Sequence, residues 1–136
     1  MARTDVRVSA IIIRGDSILL MHRRKKGKEY WVFPGGGVED YETVEEGLVR
    51  EVKEETNLDV LHIREKVMIY NEASEKEEPF FICKVSDGTP EIVGEEKHQN
   101  RPENFYELQW VKISDIEKIW LVPEAASRKV QNMFEN

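Results

Sequence analysis

Between residues 35 and 58 the chain reads GGGVEDYETVEEGLVREVKEETNL, with Glu42, Arg50, Glu51, Glu54 and Glu55 in order behind three glycines. Glu51, Glu54 and Glu55 stand at i, i+3 and i+4, the spacing that places side chains on one face of a helix. Three neighbouring carboxylates at the edge of a core repel one another and resist desolvation. A bound divalent cation offsets that cost. A hard ion such as Mg²⁺ takes oxygen ligands and commonly sits between carboxylates and substrate phosphates. The competing reading is a solvated acidic helix, because Glu is a good helix former and charged helix faces are common.

Such a helix has to be started, stopped and packed. Thr43 followed by Glu46 is a capping box, so the sequence predicts a helix beginning at Thr43. Asn57 tolerates the left-handed geometry that ends helices. Val44, Leu48 and Val52 recur every four residues and form the buried stripe, with Glu55 on its edge. Gly35, Gly36 and Gly37 read as a loop that lets backbone approach a ligand closely.

Read in full, the spacing is G-x5-E-x7-R-E-U-x-E-E-x-(G)-U, where U is apolar, and it resembles the Nudix box of the Nudix hydrolase family (MutT-like) over residues 36–58. An accidental match is expected on the order of once in a hundred million placements, which outweighs the plain acidic helix. One position departs: Asn57 stands where the family has Gly, and Asn accepts the same cap geometry. The resemblance implies an α/β (α+β) fold, an α/β/α sandwich with a mixed β-sheet and the box as loop, helix and loop. It implies hydrolysis of a nucleoside diphosphate linked to another group, with Mg²⁺ or Mn²⁺. Glu51, Glu54 and Glu55 are then the metal ligands, joined by a backbone carbonyl of Gly35 or Gly36. Glu51 or a later carboxylate is the base, and Arg50 bridges to Glu42 or Glu51 to hold the helix in place. Some family members carry a further ligand or base on a later loop, where Glu95 and Glu96 are the candidates and His98 and Glu103 weaker ones. Among substrate markers, ADP-ribose hydrolases often carry a Pro about sixteen residues after the box and diadenosine polyphosphate hydrolases a Tyr near there. Ser74 and Glu75 occupy those positions here. A nucleoside triphosphate, a nucleotide-sugar or a non-nucleotide diphosphate remains open. The alternatives are a catalytically silent Nudix-like nucleotide sensor and, further off, an interaction protein whose acidic helix is a partner surface.

The remaining composition fits. A chain of 136 residues, 40% hydrophobic and 35% charged, is one soluble domain by size. A net charge of −7 argues against a nucleic-acid polymer as partner, and leaves a small nucleotide substrate open because metals neutralise its site. Oligomeric state is left open, a homodimer included. The lone cysteine, Cys83, reads as a buried strand residue in a reducing, cytoplasmic setting. No apolar run reaches membrane-spanning length, and MARTDVRV lacks the apolar stretch of a secretory signal. The three scattered histidines and the missing Cys-x-x-Cys argue against zinc.

Along the chain, Val6–Ile13 and Ser17–Met21 read as a hairpin over Gly15-Asp16. The basic run Arg23, Arg24, Lys25, Lys26, Lys28 reads as a loop ahead of the glycines. From there Arg23 or Arg24 could hold substrate phosphate through its fork geometry, with Gly35 and Gly37 as the backbone alongside. Tyr30–Pro34 reads as a short strand with Trp31 as packing. Residues 59–70, 79–85 and 105–113 read as strands, 71–78 and 95–104 as loops. Ser114–Glu117 reads as a helix start, and Glu124–Phe134 as a helix with Ala126, Val130 and Met133 inward.

Overall fold

The computed structural model describes residues 3–93 and 103–133. Eight strands are found among them: β1 (Arg3–Arg14), β2 (Ser17–Lys25), β3 (Lys28–Val32), β4 (Gly35–Glu39), β5 (Val60–Asn71), β6 (Lys76–Val85), β7 (Asn104–Lys112) and β8 (Leu121–Val122). Two α-helices, α1 (Val44–Thr56) and α2 (Glu124–Met133), and a 3₁₀ turn at Ile113–Lys118 complete the described residues. The strands form a mixed sheet in the order β5-β6-β1-β2-β3-β8, with β4 added to β1 and β7 to β2.

β1 is the hub. Its C-terminal end meets β2 at Ile13↔Ile18, its middle runs parallel to β6 from Ser9↔Phe80 to Ile12↔Cys83, and its N-terminal half pairs with β4. A central strand is covered on both faces, which is why its sequence is a nearly continuous apolar run. Alternation sends Val8, Ala10 and Ile12 into one core with Leu48 and Val52 of α1. Ile11 goes into the other with Phe80, Ile82, and Ala126 and Val130 of α2. The helices therefore cover opposite faces. Leu48, Val52 and Val130 are fully buried, each adding roughly 1.5–3 kcal/mol. Cys83 lies in the core beneath α1, and burial pushes its thiol up to about 12.

Several elements differ from the sequence reading. Gly35–Glu39 is a strand, because its backbone completes the edge of β1. The basic run is mostly strand as well: Arg23, Arg24 and Lys25 extend β2, Lys28 opens β3, and Lys26 and Gly27 make the turn, both at positive φ. Pairing with β3 and β7 supplies the ladder that charged residues alone do not advertise. The loop expected at 71–78 shrinks to a tight turn, since β5 and β6 pair out to Asn71↔Lys76. The helix start at Ser114 becomes a single 3₁₀ segment.

Candidate active site

α1 is fixed at both ends as its sequence demands. Thr43 Oγ1 accepts from the Glu46 N–H at 3.1 Å, and the Thr43 N–H donates to Glu46 Oε1 at 2.8 Å. The capping box thus satisfies two otherwise orphaned donors. At the other end Asn57 adopts φ 61°, ψ 19°, the left-handed cap, with its N–H donating to Lys53 O. These stops set which way each glutamate points.

Arg50 is the organiser of the site. Its Nη2 donates to Glu42 Oε1 at 2.6 Å and to Gly37 O at 2.9 Å. Its Nε reaches the same Glu42 carboxylate at 3.1–3.2 Å. Its Nη1 donates to Glu51 Oε1 at 2.9 Å and to Glu54 Oε1 at 3.3 Å. Sequence reasoning left the bridge open between Glu42 and Glu51; the guanidinium holds both. Their side chains are only 7% exposed, a burial that requires a cation close by. Hydrogen bonds to Glu42, opposed by burial and reinforced by Glu51, raise the Arg50 pKa above its ordinary value. Glu42 also accepts from the Glu39 N–H at 2.8 Å, tying the chain before α1 to its start.

The glycines fit against these carboxylates. A Cβ on Gly36 would enter the Glu51 carboxylate, and one on Gly35 would strike the Val8 carbonyl oxygen. The carboxylate of Glu51 therefore rests on bare backbone. Glu55, half-buried at the edge of the apolar stripe, accepts from the Gly35 N–H at 2.7 Å. Glu54 is half-exposed beside them. The three glutamates share one side of α1, as their spacing predicted, but they are not packed together. Arg50 stands between Glu51 and Glu54, and Gly35 draws Glu55 aside. Among the described residues no group of three His, Cys, Asp or Glu side chains converges as around a metal ion. In kind, the donors fit a hard cation, being all oxygen and including a buried carboxylate laid on backbone.

The basic run is placed differently. Arg23 Nη2 donates to Asn104 Oδ1 at 2.7 Å, its Nε donates to Phe105 O, and its guanidinium lies 3.9 Å from the Tyr106 ring centroid. Arg24 contacts Glu29 at 3.4 Å and lies over Phe105. Both arginines are thus engaged within the β2-β3-β7 ladder. Trp31 packs, as expected, but its partner is His22: the rings stack at 4.3 Å and 11°. His22, 5% exposed, sets Nε2 2.8 Å from Glu29 Oε2 and Nδ1 3.6 Å from Glu107 Oε1. That hydrogen bond from His22 is the main cause holding Glu29 below the usual carboxylate range. Sequence reasoning missed this buried histidine, and no local signal marks it, because its partners arrive from two other strands. Glu95, Glu96 and His98 lie outside the described residues. Glu103 is exposed and, with Arg24, Lys28 and Glu29, borders a concavity of about 210 Å³ away from the α1 carboxylates.

The fold and sequence have relatives among known proteins. The family model described as NUDIX domain matches residues 3–132. The chain is 50% identical over 54 residues to an ADP-ribose pyrophosphatase of Methanocaldococcus jannaschii, covering 39% of this chain and 32% of that protein. It is 45% identical over 49 residues to an RNA pyrophosphohydrolase of Marinomonas sp., covering 36% and 30%. The matches span about a third of the length of these curated relatives. In three dimensions it resembles the solved MutT structure described for Aliivibrio salmonicida and Vibrio cholerae, with a TM-score of 0.68, 26% identity and coverage of 94% and 96%. Among the described residues no helix is long and apolar enough to cross a membrane.

Proposed function

The chain belongs to the NUDIX family, and we propose that it is a metal-dependent hydrolase cleaving the pyrophosphate linkage of a nucleoside diphosphate joined to another group. The substrate class is a nucleoside triphosphate or a nucleotide-sugar. One observation carries this reading: Arg50 clamps Glu42 and Glu51 while the Glu51 carboxylate rests on the bare backbone of Gly36. A solvated acidic helix has no need of a buried carboxylate built against glycine.

Glu51, Glu54 and Glu55 would hold Mg²⁺ or Mn²⁺, with the Gly36 carbonyl as a further donor. When bound, the ion supplies positive charge against the phosphates and acidifies a water. The chain's own residues do the positioning. Arg50 fixes the rotamer of Glu51 through its fork, and Glu42 fixes Arg50. β4, without side chains at three successive positions, lets phosphate oxygens approach backbone. Glu51, whose carboxylate lies against Gly36, or Glu95 or Glu96 would take a proton from the attacking water. Arg50 stays charged throughout and is a positioning residue.

The test is phosphate and pyrophosphate release from a panel of nucleoside triphosphates, nucleotide-sugars and dinucleoside polyphosphates, with Mg²⁺ or Mn²⁺ and with a chelator. The expected result is metal-dependent turnover that falls by orders of magnitude in a folded Glu54→Gln. Turnover that survives this substitution removes the metal assignment. Tight metal-dependent binding of one compound without turnover replaces the enzyme with a nucleotide sensor.

A further inference from the structure

Glu78, on β6, belongs to neither network described above. It is 3% exposed, and its Oε1 accepts from Asn71 Nδ2 at 3.0 Å. Its Oε2 is buried and has no hydrogen-bond partner. Buried polar atoms are satisfied in the great majority of cases, and an acceptor left unmet is a costly exception. A donor arriving from outside the chain would satisfy this oxygen.

The sheet register shows what could arrive. Alternation puts Glu78 on the face of Phe80 and Ile82, the face opposite α1. From the Ser9↔Phe80 pair, two residues back along both strands stand Arg7 and Glu78. Arg7 in turn pairs with Gly37, as Ser9 pairs with Gly35. Glu78, Arg7 and Gly37 therefore form one row across β6, β1 and β4. Two inter-strand steps place Glu78 roughly 10 Å from β4. β4 is the strand whose Gly35 N–H holds Glu55 and whose Gly36 underlies Glu51. Gly37 and Gly35 add no side chain to this face, Ser9 adds a small one, and Arg7 is exposed. A bare pyrophosphate cannot bridge from β4 to Glu78, whereas a nucleoside can.

Resting on the hydrolase reading above, we infer that Glu78 is a specificity-determining residue: its Oε2 accepts a hydrogen bond from an amino group on the base of a nucleotide whose phosphates lie against Gly35–Gly37. The Oε2 left unmet is an acceptor. It attracts the amino group of adenine, cytosine or guanine and repels a carbonyl oxygen at the same place. A site built this way rejects the analogue lacking the donor, because its own buried group is then left unpaired.

The experiment compares binding of three nucleoside monophosphate pairs that differ at one amino group: AMP with IMP, CMP with UMP, and GMP with IMP. Wild type, Glu78→Gln and Glu78→Leu are titrated with each, and hydrolysis of the matching triphosphates is measured in parallel. Wild type is expected to prefer the amino member of at least one pair by about 10- to 100-fold. Glu78→Leu should bring that ratio to near unity, with Glu78→Gln between the two. Should Glu78→Leu not fold, Glu78→Gln alone still decides. Hydrolysis with a ratio that neither variant changes overturns the inference, leaves the hydrolase standing and assigns Oε2 to an ordered water. Discrimination that Glu78 controls, without hydrolysis of any substrate, does the reverse. A wild type that neither binds nor cleaves any of them overturns the inference, and the hydrolase reading is then decided by the nucleotide-sugars and dinucleoside polyphosphates of the wider panel.

Discussion

Two arginine networks sit in this molecule, one at the start and middle of α1 and one along the β2-β3-β7 ladder. In the first, Arg50 gathers Glu42, Glu51, Glu54 and the Gly37 carbonyl within 13 residues of itself. In the second, Arg23 reaches Asn104, 81 residues away, and His22 stands between Glu29 and Glu107. Both began as charged stretches in the sequence. The first keeps two carboxylates out of water, so the cation is obligatory. The second is largely exposed at its acidic ends, with Glu29 and Glu107 side chains 53% and 50% accessible, so it positions rings and strands at lower stakes. A short-range charge pattern becomes a chemical site when a helix fixes its spacing and a core removes its solvent.

That contrast is broken most severely at Arg50. Arg50→Leu leaves Glu42 and Glu51 buried without a cation, at a cost of about 2–4 kcal/mol, or on the order of 10 °C in melting temperature. Thermal denaturation checks it, and a loss below about 1 kcal/mol would place this network with the exposed one. Next comes Gly36→Ala, whose methyl group displaces the Glu51 carboxylate. Its φ is not in the left-handed region, so the fold is expected to persist. Turnover should fall about 10- to 100-fold, as expected when a reacting group is moved off its geometry. Unchanged kcat with an intact fold would show that Glu51 need not rest on β4.

Legibility followed the same division. The helix limits, the cap at Asn57 and the buried stripe were readable, and Arg50 was read as bridging Glu42 or Glu51, because each depends on residues within a few turns of one another. The positions of Gly35–Glu39 and of Arg23–Lys25 were not. These became strands through pairing with β1, β3 and β7, and a strand's partner is not written in its own residues. The same holds for His22, whose stacked Trp31 and flanking Glu107 come from strands on either side, and for Glu78, whose row-mates on β1 and β4 are some 70 and 40 residues distant. Even on α1, spacing gave the shared face of Glu51, Glu54 and Glu55 but not the donors that hold them apart. Those donors, the guanidinium of Arg50 and the N–H of Gly35, depend on rotamers and on the strand opposite.

For the ladder, the substitutions are smaller in effect. Arg23→Gln removes the charge-assisted contact to Asn104 and the stacking on Tyr106, an expected loss of about 1–2 kcal/mol with KM unchanged. A several-fold rise in KM at unaltered stability would instead return Arg23 to the phosphate role that its sequence position suggested.

The finest distinction lies at Glu29. Its carboxylate titrates below its ordinary 4.5, first because of the hydrogen bond with His22 and then through that ring's charge and Arg24. A group whose folded pKa is depressed adds stability above its unfolded pKa and loses it as pH falls through the folded value. The melting temperature of wild type should therefore exceed that of Glu29→Gln at pH 6, and the gap should close as pH drops below about 4.5. The ladder acts here as a titrating support, unlike the α1 network, where Arg50 remains charged at any accessible pH and Glu42 and Glu51 are shielded from solvent. A gap that stays constant from pH 6 to pH 3 would mean that Glu29 acts through packing on Arg24 and His22 rather than through its charge. The difference between the two networks would then be one of burial alone.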